Sequence, residues 1–263
     1  MRRSLFSPLR PLPPALRVAL GVAFFVVFVA LWAQATYGGW VRPLFLASPG
    51  NAVAAGIALF THYDFAWDIV VTIWRVVGGF IVAAVIAVPL GIAMGAFKPV
   101  EAFFEPFVSF ARYLPASAFI PLLILWAGIG EAQKLAVIFI GSFFQLVLMV
   151  AVIVGATRVD LVEAAYTLGA RSSGIVWRVM LPNAAPQIAE TLRLVLGWAW
   201  TYVIVAELIG AQTGIGHMIM DSQRLLDTGQ MIFGIVMIGV IGLVSDVLFK
   251  LANRRLFPWY QAA

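Results

Sequence analysis

Six stretches of the chain are apolar on every side of a helical wheel. They run over Val18–Thr36, Ile69–Ala96, Ala116–Gly130, Leu135–Ala156, Ile188–Ile209 and Met231–Leu251. A bilayer core needs roughly 20 helical residues to cross. A helix that is apolar all round belongs in lipid or in the middle of a bundle. The second stretch is long enough to tilt or to continue past the membrane. The third is short and carries Pro121, and the fifth has charge near its start. Before the first stretch, Pro8, Pro11, Pro13 and Pro14 predict an extended segment, because proline disfavours helix in its own and the preceding residue.

Composition agrees with the pattern. The chain of 263 residues is 63% hydrophobic and 11% charged, with a mean hydropathy of +1.00. Soluble domains are about 45–50% apolar and roughly 25% charged. That excess excludes an ordinary soluble domain, and it excludes disorder, which needs low hydrophobicity. The expected fold is therefore all-α and polytopic, with about six transmembrane helices. Residues 1–17 form a cytoplasmic tail, 18–36 a first helix, and 67–257 a core of five helices. Without cysteine the chain has no disulfide, thiolate metal site or cysteine nucleophile.

The net charge of +5 is explained by orientation. Arg2, Arg3, Arg10 and Arg17 precede the first span, and Lys98 and Arg112 fall between the second and third. Arg158, Arg171 and Arg178 fall between the fourth and fifth; Lys250, Arg254 and Arg255 close the sixth. Twelve of the 17 basic residues thus share one side, against Arg42, Lys134 and Arg224 on the other. Lysine and arginine collect in cytoplasmic loops, so both termini are expected inside the cell, and no nucleic-acid partner is needed to explain the basicity. A cleavable signal ending at Ala33-Gln34-Ala35 is the rival reading. Its apolar run is too long, and cleavage would invert the remaining charges.

The loop between the fourth and fifth spans is far longer than a connector requires. Residues 157–183 read TRVDLVEAAYTLGARSSGIVWRVMLPN. Leu161, Ala164, Ala165 and Leu168 fall on one helical face. Asp160 is placed to cap that helix, Gly169 to end it, and Ser172 or Ser173 to cap a second short one. Pro182 is expected to stop continuation and reset direction before the fifth span. The product is a helical hairpin on the cytoplasmic face, packing either on its own chain or on a partner.

Glu163-Ala164-Ala165, Gly169, Val179, Leu181 and Pro182 match the E-A-A-x3-G-x9-I-x-L-P signature of binding-protein-dependent ABC importer permeases, with valine at the isoleucine position. Residues 112–130 resemble the R-x2-P-x2-A-x2-P-L-x-I-L-W-x-G-I-G stretch of the nitrate, sulfonate, taurine and bicarbonate subfamily. Thr72 and Arg75, Ala206-Glu207-Leu208 with Gly214-Ile215-Gly216, and Arg254-Arg255-Leu256-Phe257-Pro258-Trp259 extend the likeness from about Asp68 to Trp259. Gln145 departs from it, standing where that subfamily often has proline. The resemblance implies the type I ABC importer permease fold in a bacterial inner membrane. It also implies a homodimer, two cytoplasmic ATPases and an extracytoplasmic solute-binding protein. Glu163, Ala164, Ala165, Leu168, Gly169, Leu181 and Pro182 would then form the coupling segment that docks on the ATPase. ATP and Mg would sit in that partner. This chain has no G-x4-G-K-[ST] loop, since Gly21, Gly78-Gly79 and Gly128/Gly130 have the wrong neighbours. It is expected to be a non-catalytic subunit carrying a small anion such as a sulfonate, nitrate or bicarbonate.

Charged and polar residues inside spans are functional candidates. Asp68, Thr72 and Arg75 share one face of the second span, so Arg75 either snorkels as an interfacial anchor or lines the pathway and attracts an anion. Trp200, Val203 and Glu207 share a face of the fifth span, and Glu207 needs the pore or a partner. Gln145 either meets the solute or ties two helices together. Asp246 is expected to pair with a basic residue. Trp40, Trp67, Tyr113, Tyr202, Trp259 and Tyr260 read as interfacial belt residues. His62 and His217 lack a carboxylate companion at ligand spacing, so no metal site is expected. Two other classes were weighed. A gradient-driven secondary transporter expects inverted repeats and acidic relays. A membrane-embedded enzyme expects paired catalytic groups at bilayer depth. The coupling loop has no role in either.

Overall fold

The computed structural model describes residues 12–260. Arg2, Arg3, Arg10, Pro8 and Pro11 lie outside the described residues. Pro13 caps the first helix and Pro14 begins it, so the extended segment ends earlier than the prolines suggested. Proline is well tolerated there, because the first turn has no use for its missing N–H.

In chain order the helices are α1 (Pro14–Tyr37), α2 (Pro49–His62), α3 (Phe65–Ala96), α4 (Lys98–Ala111), α5 (Ile120–Ala127) and α6 (Glu131–Gly155). Then follow α7 (Val159–Thr167), α8 (Ser172–Ile175), α9 (Leu181–Leu208), α10 (Ile215–Arg224) and α11 (Thr228–Leu256). A 3-10 turn over Ala116–Phe119 leads into α5, and a π turn over Val176–Met180 leads into α9. Five helices are long and apolar enough to cross a membrane, or six if the bent pair α4–α5 counts as one crossing.

The core is α3, α6 and α9, with Val76, Phe80, Leu146, Val147, Val195, Ala199 and Val203 all buried among them. α3 has 32 residues, about 48 Å at 1.5 Å per residue, so it overruns the bilayer core. Glycines let α3 and α6 approach closely. A Cβ on Gly95 would lie 2.5 Å from the Ala151 carbonyl oxygen, and one on Gly91 2.8 Å from that of Val147. Small residues at such seams replace the hydrophobic drive that lipid removes. Gly95→Leu is expected to lower stability by about 1–3 kcal/mol, since rigid backbone cannot yield. Gly21→Leu on α1, where nothing lies within 4 Å, is the control that should leave the thermal transition in detergent unchanged.

α1 has no buried residue; it is joined to the rest by the Trp32 indole, which donates to the Ala47 carbonyl at 3.0 Å. α2 was not expected from the hydrophobic pattern. It packs on α11, where Gly56 receives the Phe233 ring.

Two expectations need correction. The third span is not one short helix from Ala116. The segment Ala116–Ala127 is long and apolar enough to cross only together with α4, and the pair is bent by 84° at residues 112–115. Pro115 prevents α4 from continuing. Glu101, Glu105, Pro99 and Pro106 disguised α4 as a loop. Pro182 does not reset direction either. Ser172–Leu208 runs as one 37-residue span, with Pro182 in the first turn of α9. The preceding π turn widens the helix and relieves the clash that proline would otherwise make with the previous turn.

Candidate coupling and translocation sites

Arg75, Thr72 and Glu207 are brought together, deep inside the chain. Arg75 is 1% exposed, and its guanidinium is completely engaged. Nε and Nη2 donate to both carboxylate oxygens of Glu131 at 2.7 and 2.5 Å. Nη1 donates to Glu207 at 2.8 Å and to the Thr213 carbonyl at 2.7 Å. Glu207 also accepts from Thr72 Oγ1 at 2.9 Å and from the Gly216 N–H at 2.8 Å. Asp68 accepts the Gly214 N–H at 2.6 Å, and Thr72 accepts the Ile215 N–H. The helix N-terminus of α10 is thereby pinned to α3. Gly214 has φ +111, and a Cβ there would meet Glu207 Oε1 at 2.5 Å, so only glycine fits. Lys134, expected in a loop, lies in the first turn of α6, 3.7 Å from Glu131. A fork held by two carboxylates does not snorkel; it clamps α3, α6, α9 and α10 at one end of the bundle.

Trp200 is also internal. Its Nε1 donates to Ser245 Oγ at 3.1 Å, joining α9 to α11. Asp246 has its expected basic partners, Arg193 on α9 and Lys250 one turn on. His217 does have a carboxylate companion, Asp221, at 3.2 Å.

Gln145 stands apart from these groups. It lines a cavity of about 320 Å³ between the end of α4, the turn that follows it, α6 and α9. Arg112, Tyr113, Ser117, Trp198, Thr201 and Tyr202 share its walls. Gly141 lets the Tyr202 ring lie directly on α6, where a Cβ would stand 2.5 Å from it. Tyr113 and Tyr202 both line this cavity. Arg112 lies in the exposed turn over residues 112–115, between α4 and the Ala116–Phe119 turn, at the wall of this cavity. The signal for it was present: a basic residue three positions before a proline that must break the helix.

The loop 157–183 forms α7, a turn at Gly169 and α8. Arg158, not Asp160, is the N-cap residue. Asp160 sits in the first turn and pairs with Arg158, whose guanidinium holds its carboxyl below the usual range. Gly169 has φ +82, a left-handed turn that glycine takes at no steric cost. Tyr166 and Ser172 hydroxyls meet at 3.2 Å across the hairpin, and Ile175 and Val176 are buried beneath it. Glu163, Ala164, Leu168 and Pro182 face outward, Leu168 at 88% exposure; Ala165 and Leu181 are half-buried.

A coupled-looking hairpin, a bent crossing and a polar cavity within an all-helical bundle describe a transport subunit. Comparison with known proteins agrees. Residues 87–258 match the family described as binding-protein-dependent transport system inner membrane component. The chain is 36% identical over 248 residues to a Brucella abortus (strain 2308) protein described as a probable ABC transporter permease, covering 94% of this chain and 97% of that one. It is 29% identical over 253 residues to the taurine transport system permease protein TauC of Escherichia coli K12, covering 94% and 92%. An inward-facing structure of the MetNI methionine ABC transporter superposes with a TM-score of 0.63 at 20% identity, covering 76% of this chain and 99% of that one. The chain belongs to the family of binding-protein-dependent transport system inner membrane components. It is a multi-pass permease subunit of an ABC importer, with the all-α fold of such permeases. Nothing in these relatives speaks for a gradient-driven secondary transporter.

Proposed function

We propose that two copies of this chain form the translocation pathway of an importer for a small organic anion, driven by a separate cytoplasmic ATPase and supplied by a solute-binding protein. The observation that carries this reading is the α7–α8 hairpin. Its turn at Gly169 and its side chains Glu163, Ala164 and Leu168 are presented outward, although Leu168 is apolar. An exposed apolar tip flanked by charge suits a partner groove. ATP and Mg belong to that partner, and this chain is non-catalytic.

Clustered positive charge supports an inner-membrane orientation with both termini cytoplasmic. The ends of α3 and α6 pack together, with Gly95 against Gly155, and Asn253 of α11 donates to Glu190 of α9 at 3.0 Å. Lys98, Arg158, Arg254 and Arg255 therefore lie toward one end, and the positive-inside rule places that end in the cytoplasm. Taurine is a sulfonate, and its import by a relative supports an organic anion here.

The test is uptake by proteoliposomes containing the full chain, its ATPase and its binding protein, with radiolabelled taurine and ethanesulfonate as probes. Uptake is expected to require internal or external ATP according to orientation and to survive a protonophore. Uptake by the permease alone, driven by a proton or sodium gradient, would overturn the proposal.

A further inference from the structure

Four basic side chains can be compared: Arg75 on α3, Lys134 on α6, Arg193 on α9 and Arg112 in the turn after α4. Three have carboxylate partners: Arg75 with Glu131 and Glu207, Lys134 with Glu131, and Arg193 with Glu190 and Asp246. Arg112 has none among the described residues. Its guanidinium reaches only the neighbouring Tyr113, with Nη2 2.7 Å from the hydroxyl and the carbon 4.4 Å from the ring centroid. A guanidinium with no carboxylate partner keeps its donor fork open to an anion from outside the chain.

The surroundings say which counter-charge. Arg112 stands at the wall of the 320 Å³ cavity, beside the Gln145 amide, the Ser117 and Thr201 hydroxyls and the Tyr202 phenol. No acidic residue lines that cavity. One cation, an amide and several hydroxyls within a space of a few small-molecule volumes form an oxyanion-recognising set. Trp198 and Phe144 add apolar wall for a short alkyl chain. Arg75, the other candidate cation, is already saturated and buried.

We propose that this cavity is an anion-binding station on the translocation pathway, taking a small organic sulfonate or a similar oxyanion. Arg112 supplies the charge, and the Gln145 amide and the Ser117 hydroxyl supply hydrogen bonds. The assignment rests on the importer reading and names the place within the pathway where the solute pauses. The 84° bend between α4 and the Ala116–Ala127 segment falls at residues 112–115, which form one wall of the cavity.

The absence of cysteine makes the test direct. Gln145→Cys gives one thiol per permease chain, in its cavity, within the full complex assembled with a cysteine-free ATPase and held in lipid-depleted maltoside micelles. Its rates with the anionic sulfonate reagent MTSES and the cationic reagent MTSET are each normalised to a free thiol. The anionic reagent is expected to be favoured by about tenfold, and Arg112→Gln in the same background is expected to abolish that preference while Arg112→Lys keeps most of it. Excess ethanesulfonate is expected to slow MTSES labelling, and choline to leave it unchanged. Thr201→Cys repeats the measurement should Gln145→Cys fail to assemble. An unchanged reagent preference after Arg112→Gln overturns the proposal. So do a thiol closed to both reagents and protection by added phosphatidylglycerol but not by ethanesulfonate, the last assigning Arg112 to a lipid headgroup. None of these readouts depends on ATP-driven uptake, so failure here leaves the importer reading standing, and failure of uptake leaves this result interpretable.

Discussion

Arg75→Ala is expected to destabilise the folded permease by about 3–5 kcal/mol, enough to remove most of the monodisperse protein recovered in detergent. The cause is Glu207. It is 1% exposed, and without Arg75 it keeps only the Thr72 hydroxyl and the Gly216 N–H against the cost of a charge buried in the bundle. Glu131 fares better because its side chain is 52% exposed. Arg75→Lys is expected to fail nearly as badly, since an ammonium cannot reproduce the fork on Glu131 and the second arm on Glu207. The double variant Arg75→Ala with Glu207→Gln is expected to recover part of the loss, because the uncompensated charge is gone. Thermal unfolding of the four proteins in one detergent checks the series. An unchanged transition for Arg75→Ala would mean that the clamp contributes nothing and that Arg75 is free for another task.

Glu163→Lys and Leu168→Asp are expected to abolish ATP-driven uptake while leaving the permease folded. Both residues are exposed, so neither substitution breaks a contact within the chain. Burying a leucine in a partner groove is worth about 1.5–3 kcal/mol. Its loss alone therefore weakens ATPase association by about tenfold to a hundredfold. Gly169→Pro should add to this by a separate route, since φ +82 lies outside the range open to proline and the hairpin turn cannot form. Co-purification of the ATPase with tagged permease measures association, and the thermal transition of the permease alone measures folding. Full retention of the ATPase by all three variants would remove the hairpin from the coupling role.

Much of the fold was legible in the sequence because lipid imposes a simple rule. Every backbone group in the bilayer must be satisfied internally, so long apolar runs have to be helices. α1, α3, α6, α9 and α11 followed from that rule, and the pattern of Glu163 to Pro182 marked the hairpin through local spacing. α4 did not follow, because its two glutamates and two prolines gave it the composition of a loop. Its helical face became evident only where Val108 and Ala111 pack inward. The continuity of Ser172–Leu208 was hidden because a proline normally ends a helix, and nothing local announces a π turn.

The candidate site divides along the same line. Spacing places Thr72 and Arg75 on one face and Glu207 on another, which suggests an anchor or pathway cation for Arg75 and the pore or a partner for Glu207. Their partners are 132 and 135 residues away in the chain, a distance that no local pattern spans. Glu131 and the Gly214–Gly216 amides complete the clamp from two further segments. Gln145 and Arg112 were noticed separately, one as an odd residue in a span and the other as a topological marker.

What the sequence determined by itself is therefore the solvent each segment chooses: apolar runs in lipid, and a hairpin where apolar and charged positions alternate at helical spacing. Only the tertiary structure decided which buried charges neutralise one another and that the exposed Arg112 has no carboxylate partner among the described residues. Hydropathy is a property of each residue alone, whereas the pairing of Arg75 and the solitude of Arg112 depend on which helices meet.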